Sequence, residues 1–157
     1  MVESRNPYTE LRERALNVAA EELGLATLGE TEAFGVVIDI AVEGGSATFT
    51  AFRSGDASMY TSGGGGIIGG VGHEEIRHAA GALVKMAGET IPDLTQTTDM
   101  PLPDPNRVRF YVLTTNGKFV AEETDENFFT ATGPFADLFL AANNLLTELR
   151  QIDDDRQ

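Results

Sequence analysis

The sequence predicts an α+β fold: a five-stranded, largely antiparallel sheet with three helices, in the order α-βββ-α-ββ-α. Three observations carry that prediction. Residues 34–61 hold three runs rich in β-branched and aromatic residues, separated by tight Gly and Asp turns. Parallel strands would need long crossovers, so these runs form an antiparallel meander. Asn116-Gly117 lies between two further alternating runs, a strong hairpin signal. Apolar residues at helical spacing mark three segments that flank these strands. At 157 residues the chain suits one domain, with an ordered core over about 8–150 and a short acidic tail.

The first helix is expected from Tyr8 to Leu23, where Leu11, Ala15, Leu16, Val18, Ala19 and Leu23 recur at helical spacing and Gly24 suits a C-cap. Residues 25–32 read as a linker. Strands follow over 34–42, 47–53 and 57–61, joined by turns at Glu43–Ser46 and Ser54–Asp56. The second helix runs from Glu74 to Ala87, with Ile76, Ala80, Leu83 and Ala87 on one face and Gly88 closing it. Its middle, Ala79-Ala80-Gly81-Ala82, is narrow enough for close packing, and marks it as the contact of a homodimer. Ile91 to Asn106 carries Pro92, Pro101, Pro103 and Pro105 and reads as an extended loop. Strands over 107–114 and 119–122 form the hairpin, and Asp125–Gly133 reads as a loop. The last helix opens near Pro134, a residue favoured in a first turn. Phe135, Leu138, Phe139, Ala142, Leu145, Leu146 and Leu149 give it a broad apolar stripe, and Asp153–Asp155 form a solvated tail.

The formal charge is −14, and Lys85 and Lys118 are the only lysines. Phosphate backbones and anionic membranes need clustered cations, so nucleic acid and lipid surfaces are not expected partners. A basic or amphipathic protein partner suits this charge. The chain has no cysteine, which removes disulfides, thiol nucleophiles and thiolate metal sites. No apolar run is long enough to cross a membrane and Met1–Pro7 holds no leader-like stretch, so a cytoplasmic protein is expected.

Seven of the ten residues from Gly63 to Gly72 are glycine, and His73-Glu74-Glu75 follows at once. Gly64, Gly66 and Gly69 match G-x-G-x-x-G, but an antiparallel context and two glutamates at the next helix start argue against a phosphate cradle. The segment reads as a flexible strand-to-helix connection that contacts a partner. His73 and His78 are five residues apart, about 140° around a helix, so they cannot share a metal ion as an H-E-x-x-H pair does. Glu74 and His78 do share a face, chiefly as an electrostatic pair, with a hydrolase as one alternative. Asp39 stands in the middle of an apolar strand and is expected on a solvated sheet face. Arg107 and Arg109 point the same way and suit cross-strand charge pairs. Phe128-Phe129 falls in the expected loop and suggests a contact patch.

The element order, small acidic chain and lack of a catalytic constellation resemble class I type III secretion chaperones and sensory-transduction-regulator-like proteins. That resemblance spans roughly Tyr8 to Arg150 and implies a homodimer that binds an extended segment of another protein without catalysis. The combined expectation is a protein-binding factor without cofactor, chaperone-like or immunity-like. Its contact residues are expected among Gly64, Gly65, Gly66, Ile67, Ile68, His73, Phe128 and Phe129. A sensor domain that closes Gly63–Gly72 over a small molecule is the other alternative.

Overall fold

Residues 33–61 fold as their turn residues require: β1 (Ala33–Val42), β2 (Gly45–Phe52) and β3 (Ala57–Thr61) lie side by side, antiparallel, with Asp39 opposite Thr48 and Thr48 opposite Tyr60. The computed structural model describes residues 7–18, 33–64, 66–69 and 73–155. The expected helix residues 19–24, the linker 25–32, and Gly65 and 70–72 of the glycine segment lie outside the described residues.

The sheet has seven strands and the described chain four helices, where five and three were expected. The α+β class stands. The strand order is β4-β3-β2-β1-β6-β7-β5, with every neighbouring pair antiparallel. One added strand, β4 (Gly66–Gly69), comes from the glycine segment, which therefore does not simply connect strand to helix. It pairs with β3 through Gly66 opposite Tyr60 and Gly69 opposite Ala57. The other, β5 (Thr95–Thr97), lies within the proline-rich stretch and pairs with β7 (Gly117–Thr124). Both are edge strands of four and three residues, too short for alternation to announce them.

The central strands are β1 and its other neighbour, β6 (Arg107–Thr114), which the hairpin links to β7. The added helix, α3 (Asp125–Thr130), replaces the loop expected there. Its first turn is held by Thr124, whose Oγ1 accepts the Asn127 N–H at 3.1 Å. It ends at Ala131, a non-glycine residue at φ 54°. The first helix, α1, spans Pro7–Asn17. α2 runs Glu74–Glu89, past Gly88, and α4 spans Ala136–Asp155, so its backbone takes in the acidic segment expected as a tail.

Alternation gives the sheet two unlike faces. On one, Val36, Ile38 and Ile40 join Phe49, Val108, Phe110 and Val112, and α2 and α4 close over them with Leu83, Val84, Leu138 and Phe139. Burying each such side chain is worth about 1.5–3 kcal/mol. Ala80 and Ala87 are fully buried in this core, while Ala79 and Gly81 are half-buried and Ala82 is exposed.

The other face is half polar. Phe34, Val37, Tyr111 and Leu113 meet Ala15 and Leu16 of α1, but Asp39, Ser46, Thr48 and Thr50 lie on the same side and are buried with them. Asp39 is thus not on a solvated face. It is completely covered, because α1 lies across the strand and brings Arg12 to it: Nη2 stands 2.8 Å from Oδ2, and Nε donates to both carboxylate oxygens at 3.1 and 3.2 Å. A relay of hydroxyls also converges on the carboxylate. Ser46 donates to Tyr8 Oη at 3.0 Å, Tyr8 and Thr48 lie 2.6 Å apart, and Thr48 donates to Asp39 Oδ1 at 2.7 Å. Since the Thr48 proton is committed to Asp39, the proton between Tyr8 and Thr48 comes from Tyr8. No buried side-chain nitrogen or oxygen among the described residues lacks a hydrogen-bond partner.

All three tyrosines of the chain, Tyr8, Tyr60 and Tyr111, are buried. Burial pushes the Tyr60 and Tyr111 hydroxyls above the ordinary value of 10.0; at Tyr111 the hydrogen bond from Arg109 only partly offsets it. Below that pH both folded and unfolded chains keep these protons, and the full contribution to stability is present. Above about pH 10 the unfolded chain ionises first, so stability falls as pH rises toward the native values. Urea midpoints taken at about pH 9 and about pH 11 should therefore drop, and drop less in Tyr111→Phe. An equal drop in the variant would mean that Tyr111 is not one of the groups responsible.

Candidate rim groove

Because antiparallel neighbours alternate in direction, one end of the sheet collects four connections. These are the β1–β2 turn at Glu43–Gly44, the β3–β4 turn at Ser62–Gly64, the turn that feeds β6, and the junction of β7 with α3. The register joins them: Val42 faces Gly45, Ser62 N–H donates to the Ser46 carbonyl at 2.9 Å, and Arg107 faces Thr124. The Ser46 N–H in turn donates to Ser62 Oγ at 3.0 Å.

Between the β1–β2 turn, the turn into β6 and the β7–α3 junction lies an open groove of about 590 Å³, lined by Val42, Glu43, Pro103, Pro105, Asp125 and Phe129 among others. Its proline wall is built by a reverse turn, Asp104-Pro105-Asn106-Arg107. The Arg107 N–H returns to the Asp104 carbonyl at 3.1 Å, with Asn106 at φ 66°. Proline second and a left-handed asparagine third is the type II turn pattern. Asn106 then accepts the Asp125 N–H at 3.1 Å, which fastens the wall to α3.

The wall is also tied to the buried network. Arg12 Nη2 donates to the Met100 carbonyl at 2.7 Å, and Tyr111 Oη donates to the Pro101 carbonyl at 2.8 Å. Arg109 Nε donates to Tyr111 Oη at 3.1 Å, and its guanidinium lies 3.6 Å from Glu122. Arg107 reaches the same Glu122 at 3.4 Å, so both arginines make the cross-strand pairs that their spacing suggests.

Phe129 is 53 % exposed and Val42 45 %, an unusual exposure for apolar side chains on one groove. Leu102, next to Pro103, is 44 % exposed. Glu43 and Asp125 add carboxylates to the lining, Asp104 is exposed between the two prolines, and among the described residues no lysine or arginine lines the groove.

The expected contact residues divide. Phe129 is on the groove. Phe128, its neighbour, is fully buried against Phe139 at a centroid distance of 5.2 Å, because successive residues of α3 point in different directions. Gly64 is in the β3–β4 turn at the same end, exposed at φ 108°, a conformation L side chains rarely adopt. Gly66, Ile67 and Ile68 lie in β4, with Ile67 turned into the core under α4 and the Ile68 side chain outside the described residues. Gly65 also lies outside them. His73 is the N-cap position of α2 and makes no side-chain cap bond.

Glu74 and His78 are both exposed, no hydrogen bond or ion pair joins them, and neither lines the groove. A second hollow of about 330 Å³, between α2 and α4, is lined by Met86, Glu89, Asp93, Phe135 and Asp137 among others, again without His73 or His78. Among the described residues no group of three or more His, Asp or Glu side chains could hold a metal ion, and no helix is long and apolar enough to cross a membrane.

Val42, Glu43, Asn106 and Asp125 escaped the sequence reading. The Asp104-Pro105-Asn106 triplet was the available signal, since it specifies a sharp turn rather than an extended loop. No family model matches the chain, and no curated protein or solved structure is detectably similar to it.

Proposed function

We propose that the protein is a non-catalytic binding factor, chaperone-like or immunity-like, that holds a segment of a partner polypeptide along the rim groove. The observation that carries this reading is the exposure of Phe129 and Val42 on one concave surface whose walls are held by backbone hydrogen bonds. A large aromatic side chain left in water on a rigid wall gains free energy when a partner covers it, and fixed walls lose little entropy in the process. The hydrolase alternative has weaker support: Glu74 and His78 stand in open solvent, with neither the desolvation nor the third group that would activate them.

Photo-crosslinking tests the reading directly. A benzophenone side chain is placed at Phe129 or at Leu140, which is equally exposed at 53 % but lies on α4 away from the groove lining. After irradiation in cells, position 129 should give a discrete polypeptide adduct that position 140 does not. Equal or absent adducts at the two positions would end the proposal.

A further inference from the structure

We infer that the groove selects a lysine- or arginine-bearing segment, seated by one bulky apolar side chain of the partner; this rests on the protein-binding reading above. The lining is apolar at Val42, Pro103, Pro105 and Phe129 and anionic at Glu43 and Asp125. Asp104 adds a third carboxylate beside the wall; it and Glu43 are exposed and Asp125 is half-buried. The nearest cation along the chain, Arg107, is engaged with Glu122 on the neighbouring strand and does not line the groove. With a formal charge of −14 behind it, the groove repels an acidic segment and draws in a basic one.

The chemistry of long cations fits this surface in particular. A lysine or arginine lays its methylene stem along apolar walls while its charged head stays in water, where Glu43 and Asp104 are exposed. The apolar anchor covers Phe129 and Val42. The volume, about 590 Å³, lies within the range of roughly 300–1,000 Å³ that binding sites occupy. The left-handed Asn106 and the two prolines hold the wall open before anything binds.

Three fluorescent ten-residue peptides of equal length decide the matter: one with a central Leu and two flanking lysines, one with glutamates in their place, and one with lysines but no apolar residue. Anisotropy titrations of the whole chain should show binding of the first alone, weakening as salt is raised. Glu43→Gln and Asp125→Asn should each weaken it roughly two- to fivefold and flatten its salt dependence. Glu75→Gln, an exposed acid on α2, should change nothing. Phe129→Ser should weaken binding by roughly tenfold or more. The inference is overturned if the glutamate peptide binds as well, or if Glu75→Gln matters as much as Glu43→Gln, which would mark a response to net charge alone. An acidic or uncharged segment found in the crosslink to position 129 overturns it too, while leaving the binding reading intact. Absence of any such crosslink removes both.

Discussion

Arg12→Ala should cost about 3–5 kcal/mol of folding stability, the scale expected when one partner of a buried ion pair is removed. The expectation follows from burial: the Asp39 carboxylate is fully covered and the Arg12 side chain only 12 % exposed. Desolvation alone would make the guanidinium easier to deprotonate, but the hydrogen bonds and charge of Asp39 outweigh it and hold its pKa above the ordinary arginine value. With Arg12 gone, Thr48 still donates to Asp39, yet a single hydroxyl does not compensate a buried charge. Arg12→Lys should fall between, because an ammonium restores charge without the fork that bonds both oxygens. Replacing both residues by leucine should recover most of the loss, since well-packed apolar pairs often match buried ion pairs. Urea denaturation of the four chains measures all of this. A loss below about 1 kcal/mol in Arg12→Ala would show the pair behaving as a surface bridge.

Phe128→Ala and Phe129→Ser should separate stability from binding within two adjacent residues. Phe128 is fully buried, edge-on to Phe139, and its carbonyl accepts from Asn143 Nδ2 at 2.8 Å, which ties α3 to α4. Its truncation should cost about 3–5 kcal/mol, the range for a large aromatic removed from a packed core. Phe129 faces water and touches Phe128 at a centroid distance of 5.1 Å. Its substitution should shift stability by no more than about 0.5 kcal/mol, as for other exposed sites, yet lose binding of the partner polypeptide. Thermal unfolding and partner capture on the two variants read both effects. If Phe129→Ser unfolds the chain as readily as Phe128→Ala, the groove wall is a structural element and the contrast fails.

The long elements were legible because their periods are strong. β1, β2, β6 and α2 each bury enough consecutive apolar positions for alternation or helical spacing to show. The short ones were not. In β4 two isoleucines between glycines cannot display a period, and the pairing with β3 that makes them a strand is tertiary. β5 is Thr95-Gln96-Thr97, whose ladder is backbone only. For α3 a signal was present in Thr124 followed by Asp125 and Glu126, an N-cap with first-turn acids, but six residues are too few for an apolar stripe.

Asp39 was misplaced for a different reason. Its own strand states only that it opposes Val36, Ile38 and Ile40; whether a helix covers that side is written elsewhere, in the Tyr8-Arg12-Leu16 row of α1. An arginine inside an otherwise buried helical row was the clue. At the groove the aromatic was legible and its setting was not, because the walls come from three separate connections that only the sheet register brings to one end.

The two ends of the strand order carry a consequence for how copies of the protein behave in solution. Edge strands commonly protect their unpaired backbone with a lysine or a proline, and β4, Gly66-Ile67-Ile68-Gly69, has neither. Besides the shortness of that strand, long-range repulsion between molecules of net charge −14 keeps one edge from meeting another. Such a guard is not built into the strand. It weakens with added salt and vanishes near the isoelectric point of about 4.3, where the protein's own acidity no longer stands between one molecule and the next.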